Sequence, residues 1–420
     1  MSAKRWRKSK IALAVLAVVT IGFFSVFNTS TRYGRWLYWQ DIDLGDIDRF
    51  AFRIVENNPE AVSSFATNRA SGSIRQVIFD FRIRDETLVE FAASHESTAL
   101  IIIYDNEVLL EEYFQGNQRD SLQSGISCTK SVVSLLVGIA IDEGLIGSID
   151  DSISEYVDGL RPEFSEVTIR QLLTMTSGIG DTDEKLFDVV PAPWSDEVSG
   201  YYDPNLRQLA KSFSLDHKPG ERFEYHDFNP ILIGMLLENA TGKSLSDYLG
   251  EKIWQPAGMQ FPAKWSLDSR RHGFEMPATG LHGRAIDFAR LGAKLIDQNQ
   301  TIVSRAWLQQ SVLDQHAGQL VKESYAASAD RADSKGAKEL ADHVRGLRYG
   351  FYWWGIEREG RYDYYANGHF GQFIYISPDA RLVVVRNGTG HGGLNDWYFG
   401  NYFFNLASKV IAADRQNTWE

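Results

Sequence analysis

"SGISCTKSVVSLLVGIAIDEG", residues 124–144, places a serine, a lysine three positions later and a long apolar run in one short stretch. Val132, Val133, Leu135, Leu136, Ile139 and Ala140 recur at helical spacing, so a helix over 128–143 is expected, with Ser127 placed to cap it. The same spacing sets Lys130 one turn on from Ser127 and on the same face. Two readings fit: a capped helix entering a core, or a serine nucleophile with a lysine base. A buried lysine loses charge by desolvation and can then take the serine proton. The helix N-terminus adds a backbone N–H where an oxyanion would form. S-x-x-K alone is weak, since about one match arises by chance in a chain of this composition.

Upstream, "TALIIIYDNEVLLEEYF" (98–114) predicts two strands around an Asp105-Asn106 turn. Downstream, "VTIRQLLTMTSGI" (167–179) predicts a capped helix ending at Gly178, and residues 229–259 predict two helices separated by Thr241-Gly242. "AIDFARLGAKLIDQ" (285–298) adds an amphipathic helix, so residues 128–310 are expected to be mostly helical. The tail differs. Residues 349–356, 371–377 and 381–387 are strand-like, with Pro378-Asp379 turning the last pair, and 396–414 forms a closing helix. Strands at both ends of a helical middle predict one sheet assembled from the two termini. The polar stretch 322–342 is expected to be a surface loop or flap.

The chain has 420 residues, 44% hydrophobic and 23% charged, an ordinary globular composition with room for one large domain or two subdomains. Its formal net charge of −12 argues against a nucleic-acid surface. Lys4, Arg5, Arg7, Lys8 and Lys10 form a basic cluster just before the uncharged run 11–27. That run is either a cleaved signal peptide or an anchor; as a helix it reaches about 26 Å, short for a bilayer. Phe23, Phe24 and Phe27 stand where a cleavage site wants small residues, so an inner-membrane anchor is expected, with the catalytic part periplasmic or extracellular. Secretion after cleavage is the alternative. The organisation expected is a basic flank and anchor or signal segment (1–34), an extension and connector (35–94), and one domain (95–414). That domain would draw its sheet from 95–115 and 348–414 and carry a helical insertion over roughly 128–345.

Cys128 is the single cysteine, so no internal disulfide can form. As the neighbour of Ser127 it faces away from Lys130 and reads as a small buried apolar residue. Asp41, Asp43, Asp46 and Asp48 lack calcium-loop spacing, and no His, Cys or carboxylate spacing suggests zinc. No metal or cofactor is expected.

Three strings in order, "CTKSVVSLLVGIAIDEGLIGSIDDSISEYV", "VTIRQLLTMTSGI" and "PGERFEYHDFNPILIGMLLENATGKSLSDYL", resemble the serine hydrolases related to class C β-lactamases. That group includes D-stereospecific peptidases, carboxylesterases and 6-aminohexanoate-dimer hydrolases, and the likeness runs from about residue 95 to 410. It implies an α/β fold of the β-lactamase/penicillin-binding-protein kind, an antiparallel sheet flanked by helices with an inserted, mostly helical domain. By this resemblance Ser127 is the nucleophile, Lys130 its partner, and Tyr225 the tyrosine of a Y-x-N motif, a general acid or base. The third motif position is Asp227, whose carboxylate would favour a charged Lys130 unless it points elsewhere or serves as a helix cap. The K-T-G motif is replaced by His369-Phe370-Gly371, with Gly371 expected on a strand where substrate can approach the backbone. The N–H groups of Ser127 and Gln372 would then form the oxyanion hole. His369 in place of lysine removes an anchor for a substrate carboxylate, leaves a mostly neutral donor expected to act in the catalytic site, and argues against a dedicated penicillinase.

Trp194, Tyr201 and Tyr202 are candidates for the rim of the cleft, and Glu275 and His282 for its far wall. His391 lies in a loop placed either near the site or in a turn. G-x-S-x-G is missing because Thr129 fills the last glycine position. The expected activity is cleavage of a small ester, amide or peptide through an acyl-enzyme. The alternatives are a β-lactamase or penicillin-binding protein, and an envelope binding protein that has lost turnover, a reading kept open by Asp227.

Overall fold

Ser97–Tyr104 is apolar at nearly every position, which suits a strand covered on both faces. The computed structural model describes residues 22–40, 42–67, 78–81, 84–180, 185–186, 190–297, 302–329, 346–392 and 396–416, with Leu16 and Thr20. Its first half contains α1 (Arg32–Trp39), β1 (Phe52–Val55), β2 (Ala66–Thr67), α2 (Leu88–Ser94), β3 (Ser97–Tyr104), β4 (Glu107–Tyr113), β5 (Leu122–Ser124), α3 (Cys128–Asp142), α4 (Ile169–Leu173) and α5 (Asp196–Tyr202). Next come α6 (Phe228–Thr241), β6 (Ala263–Ser266), β7 (Leu281–Arg284), α7 (Ala285–Ile296), β8 (Leu347–Tyr349), β9 (Trp354–Arg358), β10 (Arg361–Gly368), β11 (Gln372–Ser377), β12 (Leu382–Gly388) and α8 (Asp396–Gln416).

Eight strands make the large sheet in the order β8-β9-β10-β11-β12-β3-β4-β2. The two termini meet where β3 pairs with β12, Ile102 opposite Val384. Period-two alternation divides the core. Ile101, Ile103, Val383 and Val385 join the α3, α6 and α7 side. Leu100, Ile102, Leu382 and Val384 pack with Phe399, Phe403 and Leu406 of α8. The β3–β4 turn has positive φ at Asp105 (50°) and Asn106 (63°), as the predicted hairpin requires.

Several expectations change. Residues 349–356 are not one strand: the chain turns over Gly350–Trp353 between β8 and β9, closed by Gly350 N–H to Trp353 O at 2.9 Å. β10 was not legible, because Arg361 and Asp363 interrupt its apolar pattern; they are buried and paired, Nε to Oδ2 3.2 Å. α4 ends at Leu173 rather than Gly178, because Thr174 Oγ1 turns back onto Arg170 O and Met175 takes φ 57°. The expected insertion is not one helical block. β5, β6 and β7 within or beside it form a second antiparallel sheet with β1, and α7 lies on the large sheet. Of the polar stretch 322–342, residues 322–329 end the helix Gln315–Ala329, and 330–342 lie outside the described residues.

The run 11–27 lies mostly outside the described residues too; among those described, no helix is long and apolar enough to cross a membrane. Asp41 is likewise outside them, while Asp43 and Asp46 pair with Arg49. The stretch 35–94 does more than connect. β1 and β2 enter the two sheets, and buried Arg35 donates to Tyr202 O at 3.1 Å while lying 5.2 Å from the Phe50 ring centre. Phe50 packs on Tyr201 and Tyr202 of α5 at 5.6 and 6.2 Å. Phe50→Ala should therefore cost about 3–5 kcal/mol in urea unfolding; a loss below about 1 kcal/mol would show that this docking is dispensable.

Candidate active site

β5 delivers the chain to Ser127 through a strained step: Ile126 has φ 44°, rare for a β-branched residue. Ser127 occupies the N-cap position of α3, but its side chain makes no capping hydrogen bond. The expected cap is replaced by a contact with Lys130, whose Nζ donates to Ser127 Oγ at 2.8 Å. The next N–H groups are used inside the turn, Cys128 to Gly125 O, Thr129 to Ile126 O and Lys130 to Ser127 O. That leaves the Ser127 N–H as the first of the helix's orphan donors. Cys128 is buried with Sγ 3.5 Å from Gln372 O, on the other side from Lys130.

α3 is buried all round through Ala140, so Lys130 is 1% exposed. An ammonium has three donors and needs three acceptors there. It has Ser127 Oγ, Ala278 O at 3.0 Å and Asp227 Oδ1 at 2.8 Å. Burial works against the charge, but Asp227 and Tyr225 outweigh it and hold the amine above its ordinary range. Asp227 sits at the N-cap position of α6 without capping it. Its side chain remains 30% exposed, so it faces both the lysine and the cleft.

Tyr225 closes the group, with Lys130 Nζ 5.0 Å from its ring centre. The residue is 37% exposed, but desolvation at its hydroxyl end drives the phenol upward and Lys130 draws it back only in part, so it stays protonated at neutral pH. Trp354 stacks on its ring at 5.9 Å and Tyr349 meets it edge-on at 6.3 Å. These two braces were not legible in the sequence, where both belonged to a supposed single strand.

The His369-Phe370-Gly371 segment is a kink rather than strand. Phe370 (φ 63°) and Gly371 (φ 73°) are both left-handed, and β11 starts at Gln372. His369 is exposed, its ring 6.0 Å from that of His391. Gly368 fits where β10 meets α3: a Cβ there would lie 2.4 Å from Gly125 O and 3.1 Å from Ser127 N. Ser127, Lys130, Tyr225 and Asp227 are thus brought together, with the Gly368–Gln372 segment alongside.

Other candidates fall elsewhere. Glu275 has no exposed surface; Arg53 and the Ser246 N–H hold its Oε1, so it does not line an open wall. Trp194 is half exposed and lines a separate cavity of about 240 Å³ with Arg32, Ser199, Phe213 and Phe228. Tyr201 and Tyr202 are buried against the N-terminal segment. His282 is buried between Ser266 Oγ (2.8 Å) and Ser124 Oγ (3.1 Å) in the small sheet. Among the described residues, no group of His, Cys, Asp and Glu is placed to hold a metal ion.

A family model described as Beta-lactamase matches residues 85–403, and the chain belongs to that family. Esterase EstB of Burkholderia gladioli is 27% identical over 54% of this chain and 64% of its own length. The 6-aminohexanoate-dimer hydrolase of Paenarthrobacter ureafaciens is 24% identical over 69% of this chain and 71% of its own. Protein flp of Staphylococcus aureus matches over 26% of its length at 28% identity. The chain therefore spans less than two thirds of EstB and of flp. Among solved structures, a Bacillus anthracis protein described as a 6-aminohexanoate-dimer hydrolase superposes with TM-score 0.68 at 18% identity, covering 92% of this chain and 98% of its own. A penicillin-binding protein homologue from Pyrococcus abyssi gives 0.56 at 20%, covering 76% and 75%. The fold is that of the β-lactamase and penicillin-binding-protein class, an antiparallel sheet flanked by helices.

Burial lowers the His282 pKa to about 3, so the fold binds the neutral ring. The stability this contributes is present above the unfolded value of about 6.5 and is lost as pH falls from there toward 3. The urea midpoint should accordingly drop between pH 6.5 and 4, and the drop should be smaller in His282→Asn. An equal drop in the variant would assign the acid sensitivity to other groups.

Proposed function

We propose that this chain is a serine hydrolase that cleaves a small ester or amide through an acyl-enzyme on Ser127. The observation that carries the reading is the Lys130 ammonium, with its donors directed to Ser127 Oγ, Asp227 Oδ1 and Ala278 O. Relatives named as an esterase and as a 6-aminohexanoate-dimer hydrolase support the same reaction class.

A lysine held as ammonium is not a base. Its role is to stabilise alkoxide character on Ser127 and phenolate character on Tyr225. Ser127 Oγ bonds to the carbonyl carbon, and the carbonyl π pair moves onto oxygen. The Ser127 proton passes to Tyr225 Oη as Tyr225 gives its own to the leaving oxygen or nitrogen, whose bond to carbon breaks as the oxyanion pair re-forms the carbonyl. Water oxygen then bonds to the acyl carbon, its proton going to Tyr225 as Tyr225 gives its own to Ser127 Oγ, and the acyl C–Oγ bond breaks to release the acid. Protons balance without an ionised base in the resting site. The chain's basic-then-apolar N-terminus supports attachment to a membrane with the cleft outside.

Ser127→Ala should lower kcat for a p-nitrophenyl ester by about 10³-fold or more and abolish labelling by a fluorophosphonate. A loss under tenfold would sink the acyl-enzyme. The lysine charge is tested by pH. Lys130 has a raised value, so the ammonium is present below it and activity falls as pH rises through it. Asp227→Asn removes a group that raises it, and the alkaline limb of kcat/KM should move to lower pH. A variant whose activity instead climbs with pH across the neutral range would make neutral lysine the base.

A further inference from the structure

Arg386 lies on β12, is 1% exposed, and sits behind the kink that carries Phe370 and Gly371. Its Nη1 donates to Gly371 O at 2.6 Å and Phe370 O at 3.2 Å. The rest of the guanidinium is tied down: Nε to Ser97 Oγ at 3.0 Å, Nη2 to Gly390 O at 2.9 Å and to His95 O. We propose that Arg386 is the positioning residue of the oxyanion site: by holding the two kink carbonyls it aims the Gln372 N–H at the oxygen of a carbonyl bound to Ser127. This rests on the acyl-transfer reading above.

In a planar trans peptide C=O and N–H point in opposite directions. The Gly371 carbonyl faces Arg386, so the N–H at the other end of the same peptide, that of Gln372, points away from the guanidinium. On the far side is the end of β10. A Cβ on Gly368 would lie 3.1 Å from Ser127 N and 3.2 Å from Gln372 Cβ, and Gly368 is the β-ladder partner of Gln372, so the Ser127 N–H and residue Gln372 flank one glycine. Gly371 is glycine for a matching reason: a Cβ there would lie 2.1 Å from Arg386 Nη1, in space the guanidinium fills. Consecutive left-handed residues, one of them a phenylalanine, keep their shape only when their surroundings impose it, and Arg386 bonds to both their carbonyls. The Gln372 side chain is fixed to the same strand, accepting from Asn387 Nδ2 at 2.9 Å and donating to Gly388 O at 2.7 Å.

The test compares wild type, Arg386→Lys and Arg386→Gln on p-nitrophenyl butyrate, with active sites counted by fluorophosphonate titration. A positioning role predicts kcat per titrated site down by about 10–100-fold in the lysine variant, more in the glutamine variant, with KM within about threefold. The affinity for phenylboronic acid, which binds serine as a tetrahedral adduct, should fall in parallel. A purely structural role would lower the melting temperature and the count of active sites while leaving kcat per site within about twofold; that result overturns the inference. If the Arg386 variants do not fold, Ser97→Ala decides, since it frees Nε without touching the kink. A kcat loss of threefold or more supports positioning, and an unchanged kcat overturns it. Failure of wild-type Ser127 to label overturns the acyl-transfer reading itself, and this inference with it, whereas an active wild type with unimpaired variants removes this inference alone.

Discussion

A buried ammonium is the constraint on which this structure turns. Removing such a charge from water costs several kcal/mol unless every donor finds an acceptor. The three acceptors around Lys130 come from three parts of the chain: Ser127 from its own helix, Asp227 from the start of α6, and Ala278 from the segment before β7. Satisfying one lysine therefore fixes the approach of α6 and of the small sheet to α3. Serine, tyrosine and carboxylate arrive together as a result, although 95 residues separate Tyr225 from Lys130 in sequence.

Asp227 also sets the electrostatic character of the cleft. Lys130 and Asp227 together carry no net charge, and one face of the carboxylate remains open to the cleft. His369, in the kink that leads into β11, is exposed. Asp227 thus leaves a carboxylate oxygen partly open beside the site.

The architecture was legible where local patterns and tertiary roles agree. The β3–β4 hairpin, α3, α6, α7 and α8 all show in their spacing because burial there follows the hydrophobic pattern. Lys130, Tyr225 and Asp227 were legible through motif order, a signal that carries no geometry. Legibility failed where polar residues are buried in pairs. Arg361 and Asp363 disguised β10, and His282 between two serines disguised β7 as part of a cleft wall. Glu275 was misplaced for the same reason: a buried carboxylate beside an arginine and one lining a site look alike in sequence. Arg386 was unreadable because its partners are backbone carbonyls from His95 to Gly390 and one serine hydroxyl, which no sequence motif records.

The pairing of β3 with β12 has a consequence for how the protein is made. Ile102 faces Val384 across the middle of the sheet, a contact spanning some 280 residues of sequence. During synthesis, α3 with its serine and lysine emerges long before the strand that closes the sheet beneath it. Until β12 arrives, one edge of β3 stays unpaired, its other edge being held by β4. A chain interrupted before about residue 370 holds the whole serine–lysine–tyrosine set but lacks the strands that close the sheet beneath it, so its completion comes late, as expected of a topology dominated by distant contacts.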